Sequence, residues 1–336
     1  MVLIMKKESK KVDRTRPEIT VKPKDEFFIV IGKSGQHSFI ALGVMQDNAP
    51  LLLARIGKTN NLSSNIDSNL KMGFKNIFYH TIAKLKGESL TFHGDISYAA
   101  YTINIEQYNQ FLKLVGKIKK PEDPFFCYQV SKELASGTLK FKYEPVITTD
   151  VELDAKIAAI AGRTTYINEL NTCRHTAIDL LQYTLGTDKI SDKISRQYFM
   201  DLPCKSSFKS GISNENFYVF PLPPSMYPDK NPIQAKMLTK IFLRMEELIK
   251  KDPYGEETVD KFNALKKLYN EQAGLPNGDI TQALVAIKNW KESNKDVIST
   301  LRSQSFFGKL FTKQSSTLSL TEDLINELEQ TKNSPQ

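Results

Sequence analysis

Phe220 to Pro228 reads FPLPPSMYP, and its four prolines in nine residues exclude both a helix interior and a central strand. The stretch divides the chain into parts that must be built from different elements. Before it, apolar residues come in short β-branched and aromatic runs. Behind it they recur at helical spacing over about 232–251, 255–273, 279–290, 293–310 and 319–331. The pattern predicts an α+β chain with a mobile lead-in at 1–24, an antiparallel-sheet domain at 25–228 and an α-helical bundle with a polar tail at 229–336.

Within the first part, Phe27–Ile31 (FFIVI) is closed by the turn signal GKSG, and His37–Met45 (HSFIALGVM) follows. QDNAP then turns the chain into Leu51–Ile56 (LLLARI). Three such runs with short turns predict an antiparallel meander. Ile96–Ile103 reads as a further strand, and Ile105, Tyr108, Phe111, Leu112 and Val115 line one face of a helix. FFCYQV and LKFKYEPV read as strands, Val151–Ala161 as a helix and 187–228 as irregular. The mixed pattern over 57–90 supports no assignment.

Lys and Arg number 46 against 38 Asp and Glu, a formal net charge of +8 over 336 residues. The lysines are spread along the chain, with short clusters at Lys6–Lys11 and Lys117–Lys120. This predicts a solvated basic surface with no nucleic-acid site, and leaves peripheral contact with acidic lipid as a weaker expectation. Cys127, Cys173 and Cys204 are far apart and form no CxxC pair, which argues against a disulfide framework and points to a reducing cytoplasm. MVLIMKK has too short an apolar run for a signal peptide, and its charges follow that run. No run approaches the roughly 18 apolar residues of a membrane span. GKSG lacks the spacing of a phosphate loop, and Cys-x-His is not structural-zinc spacing. No cofactor and no metal are expected.

The segment with most chemistry is YINELNTCRHTAIDLLQYTLG, Tyr166–Gly186. Asn171 and Thr172 are strong helix N-cap types, so a helix from about Thr172 to Leu185 is expected, stopped at Gly186. Cys173 then lies in the first turn, where the helix dipole and unpaired N–H groups favour thiolate. Ala177, Leu180, Leu181 and Thr184 share its face, which places it on the buried stripe. His175 points about 200° away around the axis and is expected to be a structural or capping group. The base must come from another element. Of His37, His80, His93 and His175, His37 opens a strand after a glycine-containing turn and is the expected base. Asp95, in TFHGDISYAAYTI, is the expected third group that orients it, with His93 the other candidate from that stretch. A dyad with no third group also suits the residues. Arg174 reads either as a surface charge or as a cation that lowers the thiol pKa.

A histidine opening a strand in HSFIALGVMQDNAPLLLARI, followed far downstream by NTCRHTAIDLL, resembles the circularly permuted papain-like hydrolases. These include the NlpC/P60 relatives of lecithin retinol acyltransferase-like and PPPDE type. The resemblance covers roughly residues 25–190, and it departs from the family's Asn-Cys pattern in the inserted Thr172. It implies a permuted papain-like domain and a cysteine hydrolase or acyl-transfer enzyme. That enzyme would act on an amide or isopeptide bond of a protein or peptide through a thioester on Cys173. The lysine-rich helical half and the polar end TEDLINELEQTKNSPQ are similar in style to effectors that Legionella-type bacteria deliver into host cells by type IV secretion. The rival expectation is a non-enzymatic interaction protein on a decayed papain-like scaffold, working through its helices. The absence of a clear third catalytic group in the sequence motivates it.

Overall fold

The computed structural model describes residues 16–60, 81–148, 152–300 and 315–333. Strands β1 (Ile19–Val21), β2 (Glu26–Ser34), β3 (His37–Gln46) and β4 (Ala49–Asn60) come first. The last three form the expected meander. Its two hairpin turns are tight. Ser34 faces His37 across Gly35–Gln36, with Gly35 at φ 54°. Gln46 faces Ala49 across Asp47 and Asn48, at φ 48° and 66°, the left-handed pair of a type I′ turn that Asp and Asn tolerate best. His37 is thus the first residue of its strand, at the mouth of a hairpin.

Strands β5 (Thr81–Gly87), β6 (Gly94–Thr102), β7 (Phe126–Glu133), β8 (Leu139–Pro145), β9 (Tyr166–Ile167), β10 (Cys204–Lys209) and β11 (Ile212–Ser213) complete two sheets. The larger runs β11-β10-β6-β2-β3-β4-β5-β9, with neighbours antiparallel, and the smaller β1-β8-β7. Phe28–Gly32 and Ser38–Val44 are buried on both faces of the sheet, which explains why these strands read as continuous apolar runs. Helices α1 (Ile105–Ile118), α2 (Ala155–Thr164) and α3 (Cys173–Leu185) pack together, and α3 lies against β2, β3 and β4.

Two expectations need correction, and the unassigned 57–90 region is resolved in part. Residues 19–21 of the lead-in form β1, because Val21 is buried and the strand pairs with β8. The 187–228 region holds β10, whose alternation CKSSFK buries Cys204, Ser206 and Phe208 against β6; serine at a buried position hid the period. Within 57–90, β4 runs on to Asn60 and β5 begins at Thr81, while 61–80 lies outside the described residues. The helix read at 293–310 is described only as Lys295–Ser299, and residues 301–314 lie outside. So do residues 1–15.

The helical part comprises α4 (Pro232–Lys251), α5 (Glu256–Gly274), α6 (Ile280–Ser293), α7 (Lys295–Ser299) and α8 (Ser316–Asn333). Asn231 caps α4 by accepting from the Gln234 N–H at 2.8 Å, with Pro232 at the first helical position. Leu324 and Leu328 bury α8, and Glu327 pairs with Lys236 and Lys240 of α4, so the glutamate-bearing end of the sequence is docked on the bundle. No helix among the described residues is long and apolar enough to cross a membrane.

The proline stretch separates elements but not cores. Phe220 hydrogen-bonds β6 through Ala100 and Thr102 and puts its ring 5.4 Å from Phe242 of α4 and 5.1 Å from Phe262 of α5. One hydrophobic core therefore runs from the sheet into the bundle. Denaturant unfolding is expected to show one cooperative transition by near- and far-UV circular dichroism, with Phe220→Ala lowering stability by about 3–5 kcal/mol. Two separated transitions, with only one moved by Phe220→Ala, would contradict the shared core.

Candidate active site

The helix α3 begins where the sequence places it. Thr172 is its N-cap, and its N–H donates to His175 Nδ1 at 3.3 Å, so His175 closes the first turn, as expected of a capping group. Gly186 ends it at φ 68°, with its N–H on the Gln182 and Tyr183 carbonyls. Cys173 occupies the first turn and is only 6% exposed. Its Sγ accepts the backbone N–H of Ser38 at 3.2 Å. The neighbouring His37 ring is close enough to act on the same sulfur by hydrogen bonding and charge. The two residues singled out as nucleophile and base are thus brought together from positions 136 residues apart.

Asp95 is not the third group. It is exposed on β6, where it pairs with Ser207 of β10, and its carbonyl accepts from Ser34 Oγ. The strand order β6-β2-β3 puts it two strand spacings, about 10 Å, from the strand of His37. His93 accepts from the Ser210 N–H at 3.3 Å and is also exposed. His80 lies outside the described residues.

The position falls to Glu88, just past β5. His37 Nε2 donates to Glu88 Oε1 at 2.5 Å. Glu88 Oε2 accepts from Arg55 Nη2 of β4 at 3.0 Å, and the Glu88 N–H donates to the Arg55 carbonyl at 2.9 Å. The Arg55 guanidinium stands 4.1 Å from the Phe39 ring centre and 4.3 Å from that of Phe92, a cation between two aromatic faces. The chain Arg55–Glu88–His37–Cys173 crosses β4, the turn after β5, β3 and the tip of α3. A lone Glu in KGESL carries no motif, so only the fold reveals it.

The electrostatics separate this thiol from the other two. Burial pushes Cys204 up to about 12 and Cys127 higher still. Burial acts on Cys173 in the same direction, yet the His37 hydrogen bond and charge, the Ser38 N–H and the Lys58 charge outweigh it, and its pKa falls below the usual thiol value. For His37, burial favours the neutral ring. The hydrogen bonds and charges of Cys173 and Glu88 prevail and raise it to about 10. Both shifts act in the same sense, toward thiolate beside imidazolium.

Two further cations frame the pair. Lys58 is 2% exposed, and its Nζ donates to the Asn171 carbonyl at 2.7 Å. Burial draws it down to about 7 against the charges of Cys173 and Asp179. Asn171 in turn donates to the Arg163 and Tyr166 carbonyls at 2.8 and 2.9 Å, which fixes the approach to α3. Arg174 is fully buried and is not a surface charge. It donates to Ser38 Oγ and to the Ser195 and Met200 carbonyls at 2.9–3.1 Å, tying the 195–200 segment to β3. The Tyr198 hydroxyl donates to the Gln36 carbonyl from the same segment. Among the described residues, no group of three or more His, Cys, Asp or Glu is arranged to hold a metal ion.

Comparison with known protein families, curated proteins and solved structures finds no match to this chain.

Gly57 makes room for the pair. A Cβ there would stand 2.1 Å from Glu88 Oε1 and 2.5 Å from His37 Nε2. Gly57→Ala is expected to part the ring from the carboxylate. Iodoacetamide alkylation of Cys173 near pH ~7, read by peptide mass spectrometry, should then fall about tenfold per unit that the thiol pKa rises. Unchanged alkylation in the folded variant would show that the His37–Glu88 contact does not set the thiol charge.

Proposed function

We propose that the chain is a cysteine hydrolase or acyl-transfer enzyme with Cys173 as nucleophile, His37 as acid and base, and Glu88 as the group that orients the ring. The observation that carries this reading is the arrangement itself: Cys173 on the first turn of α3 takes the Ser38 N–H beside His37, whose ring Glu88 and Arg55 hold, and these neighbours favour the thiolate where burial alone raises the other two cysteines. A structural thiol has no use for that inversion, whereas a nucleophile requires it.

The step follows from the geometry. The Cys173 thiolate attacks a carbonyl carbon, forming the C–S bond while the C=O electrons move to oxygen. The first-turn N–H groups of Cys173 and Arg174 have no acceptor within the helix and lie beside the sulfur, where they can hold that oxyanion. Imidazolium His37 gives its proton to the leaving nitrogen, the C–N bond breaks and a thioester remains. Neutral His37 then takes a proton from water or an amine that attacks the thioester, and the thiolate returns. Glu88 and Arg55 keep the ring aimed through both halves.

The surroundings of the sulfur support a peptide or protein substrate. Leu170, three residues before Cys173, is 78% exposed, and Phe199 and Met200 are exposed on the segment that Arg174 holds. These apolar side chains suit a peptide or protein substrate with apolar residues near the scissile amide or isopeptide bond. Delivery into a host cell rests on the resemblance of the C-terminal sequence. Translocation of a reporter fused to the chain, in bacteria with and without a type IV system, tests it.

Incubation with a panel of fluorogenic amides, isopeptides and activated esters, followed by intact-protein mass spectrometry, should trap an acyl adduct on Cys173. Cys173→Ala should abolish it, and His37→Ala or Glu88→Gln should lower the acylation rate by about 10²–10⁴. The rate should rise through a thiol pKa below the ordinary 9.0 and decline through about 10, where His37 loses the proton that the leaving group needs. A Cys173 that reacts like a free thiol in both wild type and His37→Ala would sink the proposal.

A further inference from the structure

A cavity of about 340 Å³ opens between β6, β10 and α4. It is separate from the cysteine site, and its lining shares no residue with the Arg55–Glu88–His37–Cys173 chain. Phe220, Phe242 and Ile249 form apolar walls, and Phe242, Glu246, Ile249 and Lys250 recur along one face of α4. The volume is in the range of small-molecule sites.

Its polar groups are few and uneven. Glu246 is matched by Lys193, 3.4 Å away, which also lies over the Phe242 ring at 5.1 Å. Lys250 lines the same cavity, is exposed and has no partner among the described residues. Tyr101 lines it too, only 4% exposed, and its hydroxyl has no hydrogen-bond partner among the described residues. Burial, with the charges of Cys204 and Glu246, pushes this phenol above its usual range, so it remains a donor. A donor at a cavity wall with no protein acceptor is free to serve a ligand there. One neutral donor and one uncompensated cation against apolar walls match a single negative charge on an apolar body.

We propose that this cavity is a binding site for a small amphipathic monocarboxylate. Its body packs between Phe220, Phe242 and Ile249, and its carboxylate accepts from the Tyr101 hydroxyl and pairs with Lys250. The proposal stands apart from the cysteine chemistry and does not need it.

Isothermal titration of the full chain with decanoate, below its micellar concentration and with decanol as the neutral control, tests the site. Decanoate should bind at one site with a Kd well below ~1 mM, and decanol at least about tenfold more weakly. Tyr101→Phe, which removes one hydroxyl, and Lys250→Glu, on the surface, should each weaken decanoate about tenfold while circular dichroism stays unchanged. Ala99→Leu, which fills the cavity, should abolish binding. No binding to folded wild type, equal affinity for decanol, or affinity untouched by both Tyr101→Phe and Lys250→Glu would overturn the proposal.

Discussion

The Glu88 carboxylate lies between His37 and Arg55, and the orientation and charge of the His37 ring depend on it. Without it, His37 would keep the thiol as its partner but lose a hydrogen bond and a negative charge that work against its burial, and the ring would move toward the neutral form. With it, one negative charge favours imidazolium, and imidazolium favours thiolate. The carboxylate is itself held by a guanidinium whose own burial is offset by two phenyl faces, Phe39 and Phe92. Phe39 lies two residues along the strand from His37, so the same strand that presents the base also helps hold the cation at the far end of the chain.

This arrangement sets backbone conditions. The β2–β3 turn must be tight enough to leave His37 as the first residue of its strand, which Gly35 permits at φ 54°. Position 57 must carry no Cβ. The start of α3 must not move relative to β3, and two cations hold it there. Lys58 reaches from β4 to the Asn171 carbonyl, and Arg174 reaches back to Ser38 Oγ, next to the N–H that caps the sulfur. Every one of these contacts joins α3 to the meander. The geometry of the thiol therefore depends on the central sheet more than on the helical part.

How much of this could be read from the sequence depends on the range of the interaction. The meander, α3 and its two ends follow from local signals: β-branched runs, a two-residue turn, a capping threonine and a left-handed glycine. Cys173 and His37 were legible because each sits at the beginning of an element whose pattern is clear. Asp95 was the expected acid because it also precedes a clear strand, but strand order is a non-local property, and β2 lies between β6 and β3. Glu88 follows a strand whose partner, β4, continues through a region of mixed polarity, so nothing local marks it. Arg174 has the composition of a surface residue. Only the convergence of Ser38, Ser195 and Met200 on its guanidinium makes it internal. Strand β10 was hidden for a related reason, a buried Ser206 whose hydroxyl is satisfied by Ser213.

The rival reading, a scaffold that has lost its chemistry, is motivated by the lack of a third catalytic group in the sequence, and the structure puts the Glu88 carboxylate on the His37 ring. Physical cost gives a second argument against it. Arg55, Lys58, Glu88, His37 and Cys173 bring five ionisable groups into a largely dry region. Well-packed apolar residues of similar volume commonly serve stability as well or better than buried ion pairs. The region also tolerates loose ends: Arg55 Nε and Asn171 Oδ1 are buried with no hydrogen-bond partner among the described residues, each a cost of about 1–3 kcal/mol that a purely structural core avoids. Burial strengthens the pairing of His37 with Glu88 and of thiolate with imidazolium, since the local dielectric is low. A fold that only presented a binding surface through its helices would gain nothing from that strengthening. An enzyme that must keep a thiolate at neutral pH gains a nucleophile from it.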